Sequence, residues 1–329
     1  MPVTVAFPKL VYVLDKHNNL TGGEYDYLTK LAIKCSLKRV YPDYISAKVM
    51  RENYEGSVFS PIGSRGFLIP WKDKNGNYQF EGRFDQGIVS INLPQIGILT
   101  KSDEESFFKL LDERLEMCFE ALMCRHHALL GTISDVSPIH WRHGALARLA
   151  KGDKIDSLLK GGYSCLSLGY IGVYETTKLI KGVSHTTPEG KEFALKLMNY
   201  LKDTIIRWQE ETAVGFTLYA ASSENISTRF ASIDKEQFGL IKDVTDKGYY
   251  TNSYHINEKE KIDAFSKLKF ESEFQSLSLG GLISYIETPN TEKEAEAFIK
   301  FIYENILYAE FNTENCSIKQ CSDEIILRR

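Results

Sequence analysis

The sequence predicts an α/β fold. Three observations carry that prediction. Short apolar runs rich in β-branched and aromatic residues recur along the 329 residues. Segments of helical spacing separate them, and several of those segments open with recognisable caps. Strands that alternate with helices in this way build parallel sheets covered by helices.

Pro8 to Leu14 (PKLVYVL) reads as a buried strand, and Tyr25 to Cys35 has helical spacing. Gly66 to Trp71 and Ile88 to Leu93 read as strands. The Asn-Gly turn signal between them, in Lys72-Asp-Lys-Asn-Gly-Asn, suggests that they pair as a hairpin. A long helix is predicted from about Ser106 to Leu130, where Phe107, Leu111, Leu115, Cys118 and Leu122 recur at steps of three or four. A second is predicted from Pro188 to about Trp208, with Thr187 as its N-cap and Phe193, Leu197, Leu201, Ile205 and Trp208 as its apolar stripe. A third opens with Thr291 and Glu294 at capping-box spacing and buries Phe298, Ile299, Ile302 and Ile306. Between them, Tyr163 to Tyr174, Gly215 to Ala220, Leu282 to Glu287 and Leu307 to Phe311 are further short apolar runs. With no linker, repeat or low-complexity stretch, one compact region is expected, followed by a short irregular tail after Asn312.

Composition narrows the function. Forty Lys and Arg against 44 Asp and Glu give a net charge of −4, so nothing argues for a nucleic-acid surface. No window is long and apolar enough to span a membrane, and the first residues lack an export signal. Six cysteines in so long a chain do not make a disulfide framework, and a reducing, cytoplasmic setting is expected.

Four clusters could carry chemistry. In Ser60-Pro-Ile-Gly-Ser-Arg-Gly, Gly63 and Gly66 allow tight backbone, so Ser64 would stand at a loop tip. It suits a nucleophile or an ordinary turn serine, and no His or Lys is spaced to activate it. Asp85, between Phe84 and Gln86 ahead of an apolar run, suits a buried base with a raised pKa or a turn residue that caps a strand. Gly215 to Ile226 reads as strand, small residues, then helix start. That arrangement offers an anion free N–H groups, with Ser222 and Ser223 as added donors, unless Ser222 caps its own helix. Cys124, His126 and His127 share a helix end without a further ligand cluster. Cys316 and Cys321 form a C-x4-C pair where four-coordinate zinc needs two more ligands.

Taken together, these runs resemble the catalytic subunit of the anaerobic (class III) ribonucleoside-triphosphate reductases, which are glycyl-radical enzymes. The matching stretches are PKLVYVL with KCSLKRVYPDYIS, SPIGSRGFL, GRFDQGIVSINLP, LLDERLEMCFEALMCRH, SLGYIGVYE, GFTLYAASSENISTRF, DVTDKGYYTNSYH and LGGLISYIETP, in family order up to about residue 321. The resemblance implies part of a ten-stranded α/β barrel made of two half-barrels. Residues 1–312 would form part of that catalytic barrel, with a finger loop near 60–66, and 313–329 would be a degenerate remnant of a zinc-binding C-terminal region.

It also implies reduction of ribonucleotides to deoxyribonucleotides for DNA precursor synthesis. In that chemistry a thiyl radical on the finger loop takes the ribose 3′ hydrogen. A polar side chain, usually Asn, binds or deprotonates the 3′-OH, and a strand-to-helix loop holds the phosphates. Carried over, the thiyl cysteine falls on Ser64, the ribose partner on Asp85, and the phosphate loop on Ala221, Ser222, Ser223 and Glu224, with Asn225 opening the helix. Cys165 and Cys35 do not align with the finger-loop position.

The family uses a glycyl radical, structural zinc and ATP or dATP effectors; no cofactor is expected on this chain, whose Cys316 and Cys321 keep half of a zinc set. Expected partners are a ribonucleoside triphosphate, a radical-activating iron–sulfur/S-adenosylmethionine enzyme, and a second copy or a chain supplying the missing half-barrel. With serine at position 64 and no glycyl-radical loop, the chain is expected to be inactive alone. The alternative is a non-catalytic remnant that binds nucleotide or a partner.

Overall fold

The computed structural model describes residues 10–38, 41–62, 66–220, 224–287 and 291–312. In chain order the elements are β1 (Val11–Leu14), α1 (Asp26–Ser36), β2 (Asp43–Ser46), α2 (Ala47–Asn53), β3 (Phe84–Asn92), α3 (Leu93–Leu99), α4 (Glu104–Leu129), α5 (Pro138–Trp141), β4 (Ser164–Ile171), α6 (Val173–Lys181), α7 (Pro188–Thr212), β5 (Gly215–Tyr219), α8 (Glu224–Phe238), α9 (Ala264–Gln275), β6 (Ser284–Glu287), α10 (Glu292–Asn305) and β7 (Tyr308–Asn312). They group into two compact units. One draws on the chain up to Ser60, on Ile262–Gln275 and on the chain from Ile283; the other on Pro61–Lys261 and Ser276–Leu282.

The first unit holds a four-stranded sheet in the order β1-β2-β7-β6. β1 pairs parallel with β2 and β6 with β7, but β2 meets β7 antiparallel, so this sheet is mixed. Leu14, Ile33, Tyr44, Phe298, Ile302 and Phe311 form its core. The predicted N-cap of α10 is in place, with Glu294 reaching back to the Thr291 hydroxyl rather than to its backbone N–H. Thr291 Oγ1 accepts from the Glu294 N–H at 3.3 Å and donates to the Glu294 carboxylate at 2.9 Å.

The second unit holds three parallel strands in the order β3-β4-β5. α4 starts at Asp103, whose carboxylate accepts from the Ser106 N–H at 2.8 Å, and buries the predicted stripe from Phe107 to Leu122. α7 starts at Thr187, which accepts from the Gly190 N–H at 3.2 Å, and buries Phe193, Leu197, Leu201, Ile205 and Trp208. β4 is buried along its whole length, as expected for a strand with neighbours on both edges and both faces covered. The chain leaves β4 through Gly172 at φ +83°, where a Cβ would sit 2.2 Å from Pro94 Cγ. Beyond β5 the sheet continues through Gly280 and Gly281: the Gly280 N–H donates to the Leu218 carbonyl at 2.9 Å and the Ala220 N–H to the Gly281 carbonyl at 2.7 Å.

Two expectations need correction. Gly66 to Trp71 is not a strand, and it does not pair with the run at Ile88. Phe67 and Leu68 are buried, but the backbone needs of this segment are met singly: the Phe67 N–H donates to Gly280 O, and the Arg83 guanidinium takes Ile69 O. The Asn75-Gly76 turn instead closes a small local hairpin with a bridge between Lys72 and Tyr78. Among the described residues no helix is long and apolar enough to cross a membrane.

Candidate functional site

Strand pairing places three polar side chains on one face of the second sheet. Asp85 is the partner of Cys165, and Ser167 is the partner of both Ile88 and Thr217. Residues two apart on a strand share a face, so Asp85, Cys165, Ser167 and Thr217 face the same way. A bulge at Gln86, with Gly87 at φ +154°, interrupts the register beside Asp85. The Asp85 carboxylate accepts from the Gly87 N–H at Oδ1 (2.6 Å) and from the Ser167 hydroxyl at Oδ2. Ser167 Oγ lies 3.0 Å from Thr217 Oγ1.

Burial is the main influence on Asp85 and pushes its carboxyl up to about 6, against the opposing donors Ser167 and Gly87 and the charge of Arg125. Asp85 is the second residue of β3 and half-buried, and its Oδ1 accepts from the N–H two residues on, so it combines burial with the local bond expected of a turn residue at a strand start.

Around this row the packing is specific. Arg83 is buried without a carboxylate partner among the described residues. Its guanidinium donates to Tyr163 O (2.8 Å), Ile69 O (2.8 Å), Gln79 O (2.9 Å) and Gly162 O. Cys165 is fully buried, and burial pushes its thiol up to about 12. Its sulfur would lie 3.2 Å from a Cβ on Gly215, so the bare glycine makes room for it. On the opposite face Gln86 donates to Ser164 Oγ at 2.9 Å and its carbonyl lies 2.9 Å from His126 Nδ1 of α4.

The segment assigned to Ser64 is described only at its two ends, where Ile62 and Gly66 exchange two backbone hydrogen bonds, at 2.7 and 3.3 Å. Gly66 bridges Gly281, and a Cβ on it would approach the Tyr219 ring at 3.6 Å. Gly63, Ser64 and Arg65 lie outside the described residues. So do Ala221, Ser222, Ser223 and the side chain of Glu224.

The two flanks of that second segment are described. Ala220 O accepts from the Ser253 hydroxyl at 2.6 Å, and α8 opens at Glu224 with Asn225 exposed. α8 is fixed from below by Asp234, a buried carboxylate that accepts from Asn92 (2.8 Å), Gln95 (2.7 Å) and Tyr250 (2.8 Å).

Among the described residues no group of three His, Cys, Asp or Glu side chains is placed to hold a metal. Cys124 is exposed while His126 is buried against Gln86. Cys316 and Cys321 lie outside the described residues. The sequence reading passed over Ser167, Thr217 and Arg83. The alternation Cys165, Ser167, Gly169 of small side chains on a buried strand was a signal that its face opens on something other than apolar core.

Comparison with known proteins follows the same line. Residues 2–326 match the family model described as anaerobic ribonucleoside-triphosphate reductase. The chain is 39% identical over 316 residues to the anaerobic ribonucleoside-triphosphate reductase of Enterobacteria phage T4, which covers 93% of this chain and 51% of that protein. The chain thus spans about half the length of that relative. Among solved structures, an anaerobic ribonucleotide reductase is similar with a TM-score of 0.68 at 16% identity, covering 93% of this chain and 45% of the other. The anaerobic ribonucleotide reductase from Thermotoga maritima in complex with dATP and CTP gives 0.65 at 16% identity, covering 93% and 47%. These likenesses show the mixed α/β fold with parallel strands, in keeping with part of a barrel.

Proposed function

Since the chain belongs to the anaerobic ribonucleoside-triphosphate reductase family, we propose that its second unit is the substrate-holding part of a site for reducing ribonucleotides to deoxyribonucleotides. The observation that carries this reading is the Asp85–Ser167–Thr217 row on one face of three parallel strands. A carboxylate can accept about four hydrogen bonds. Gly87 and Ser167 take one each, which leaves Asp85 capacity to accept from a ribose 3′-OH. A carboxyl pushed up to about 6 is a far better base near neutrality than an exposed one. Ala221 to Asn225, the segment that leads into α8, would take the phosphates near the positive end of the helix dipole.

Serine at position 64 sets a limit. An O–H bond is much stronger than an S–H bond, so moving a hydrogen atom from Ser64 to a radical is uphill. The group that the family places there does not fit this side chain, and no radical step is assigned to it. Cys316 and Cys321 supply two of the four ligands that structural zinc takes, and no described cluster completes the set. Turnover would need a thiol that position 64 does not supply and a radical-activating iron–sulfur/S-adenosylmethionine enzyme; on this reading the chain holds nucleotide, and Ser64 takes no part in reducing it.

The test is a titration of the isotope-labelled chain with CTP, followed by chemical-shift mapping. Shifts centred on residues 220–226 are expected, with a millimolar dissociation constant, roughly −4 kcal/mol. Ser222→Ala with Ser223→Ala should weaken binding, while Asp85→Asn should leave phosphate binding nearly unchanged. Shifts centred elsewhere, or equal loss from Asp85→Asn, would overturn the assignment.

A further inference from the structure

We propose that Ser167, backed by Thr217, is the positioning residue for Asp85: its hydroxyl fixes the carboxylate in one orientation and holds it in the ionised form that accepts a proton. The inference rests on the reading of Asp85 as the ribose partner and extends it to two residues to which no role has been given.

Ser167 and Thr217 are almost wholly buried, at 0% and 2% exposure. A buried hydroxyl without a partner is costly, and strand cores ordinarily use apolar side chains there. Here two hydroxyls on adjacent strands meet each other, and the first donates to the carboxylate. Asp85 is therefore held at both oxygens, by its own strand through the Gly87 N–H and by β4 through Ser167. The hydrogen-bond sense follows from chemistry. An ionised carboxylate only accepts, so Ser167 donates to Oδ2, and its own oxygen is free to accept from Thr217.

Thr217 is itself confined. A Cβ on Gly280 would lie 2.2 Å from Thr217 Oγ1, so the backbone of that segment packs directly on the threonine.

Among the described residues, the charged and titratable groups around Asp85 are few. Arg125 of α4 reaches Gly87 from one side: its Cδ would lie 2.7 Å from a Cβ there, and its charge favours the carboxylate. Cys165 is the β4 partner of Asp85, with its thiol neutral, and the charge of Arg83 acts on that thiol. Burial opposes ionisation, and Ser167 is the foremost of the groups that oppose burial.

The test uses the full chain with carboxyl-carbon labelling of aspartate, free of nucleotide. The Asp85 signal is identified by its loss in Asp85→Asn. Its midpoint is followed by carbon NMR from about pH 4 to 9. Ser167→Ala should raise the midpoint by about one pH unit, a tenfold gain in proton affinity. Thr217→Val should raise it less, and Ser167→Thr should restore it. If Ser167→Ala does not fold, Ser167→Cys, a weaker donor of similar size, should give a smaller rise. An Asp85 midpoint and shift unchanged in a folded Ser167→Ala or Ser167→Cys chain overturns the inference. A midpoint that moves as expected while CTP leaves the Asp85 signal unmoved upholds Ser167 as the positioning residue and rejects the ribose assignment.

Discussion

Replacing Lys247 with Met should destabilise the second unit by about 3–5 kcal/mol at pH 7, the usual cost of breaking a buried ion pair. The Lys247 and Glu175 side chains are 5% and 0% exposed, with Nζ 3.9 Å from Oε1. Nζ also lies 4.8 Å from the centre of the Tyr174 ring. Glu175 Oε1 accepts from the Thr251 N–H and hydroxyl at 2.9 and 2.7 Å, while Oε2 and the lysine Nζ have no hydrogen-bond partner among the described residues. Without the cation, burial dominates and Glu175 keeps its proton in the folded chain to higher pH. It already lies above its ordinary value of 4.5 through burial, with Thr251 and Lys247 opposing.

The unfolded chain loses that proton near 4.5. Where the folded chain holds one proton more than the unfolded chain, stability falls as pH rises, by about 1.4 kcal/mol per unit. A deficit of about 3–5 kcal/mol at pH 7 therefore corresponds to roughly two to four such units, and it should shrink as pH falls, until Glu175 is protonated in the folded parent as well. Glu175→Gln combined with Lys247→Met removes both charges and should lie within about 1.5 kcal/mol of the parent, with no such slope. Urea unfolding at several pH values measures all of this. A Lys247→Met chain as stable as the parent at pH 7, or a deficit equal at pH 5 and pH 8, would refute the reasoning. The site should feel the loss as well. Thr251 and Ser253 accept from the Gly172 and Val173 N–H groups, and Ser253 donates to Ala220, which borders the segment proposed to hold phosphates.

Two further substitutions probe the frame around Asp85. Arg83→Lys should cost about 3 kcal/mol in thermal or urea unfolding, because one ammonium cannot reach the four carbonyls that the guanidinium serves; an unchanged midpoint would show that those bonds matter little. Gly280→Ala should cost about 1–3 kcal/mol and shift the Thr217 methyl resonance, since the new Cβ meets Thr217 at 2.2 Å; a neutral substitution would mean that the segment is free to move away.

Helices with a cap and a clean stripe were legible from the sequence. Thr187, Thr291 and the Phe107–Leu122 series each announce a start or a face through spacing alone. The same was true of β5 and β7, which fall on the short apolar runs Gly215 to Ala220 and Leu307 to Phe311. Gly66 to Trp71 was misread because an apolar run says that a segment is buried, not where its backbone hydrogen bonds go. Here a guanidinium 14 residues away supplies one of them. β3 begins earlier than its apolar run because Gly87 carries a bulge that a pattern of side chains cannot show.

Asp85 could be singled out but not decided, since its environment is built from residues 82 and 132 positions further along the chain. Ser167 and Thr217 are ordinary small polar residues until the register sets them side by side.

The central claim is that Asp85 faces the 3′-OH of a bound ribonucleotide. The most direct measurement compares CTP with 3′-deoxy-CTP on the labelled chain while the Asp85 carboxyl signal is observed. Both should bind through the residue 221–225 segment with similar affinity, because the phosphates are the same. CTP should shift the Asp85 signal and lower its midpoint pH, since a hydroxyl that donates to the carboxylate favours the ionised form. The 3′-deoxy compound should do neither. Equal shifts from both nucleotides, or none from CTP at saturation, would contradict it.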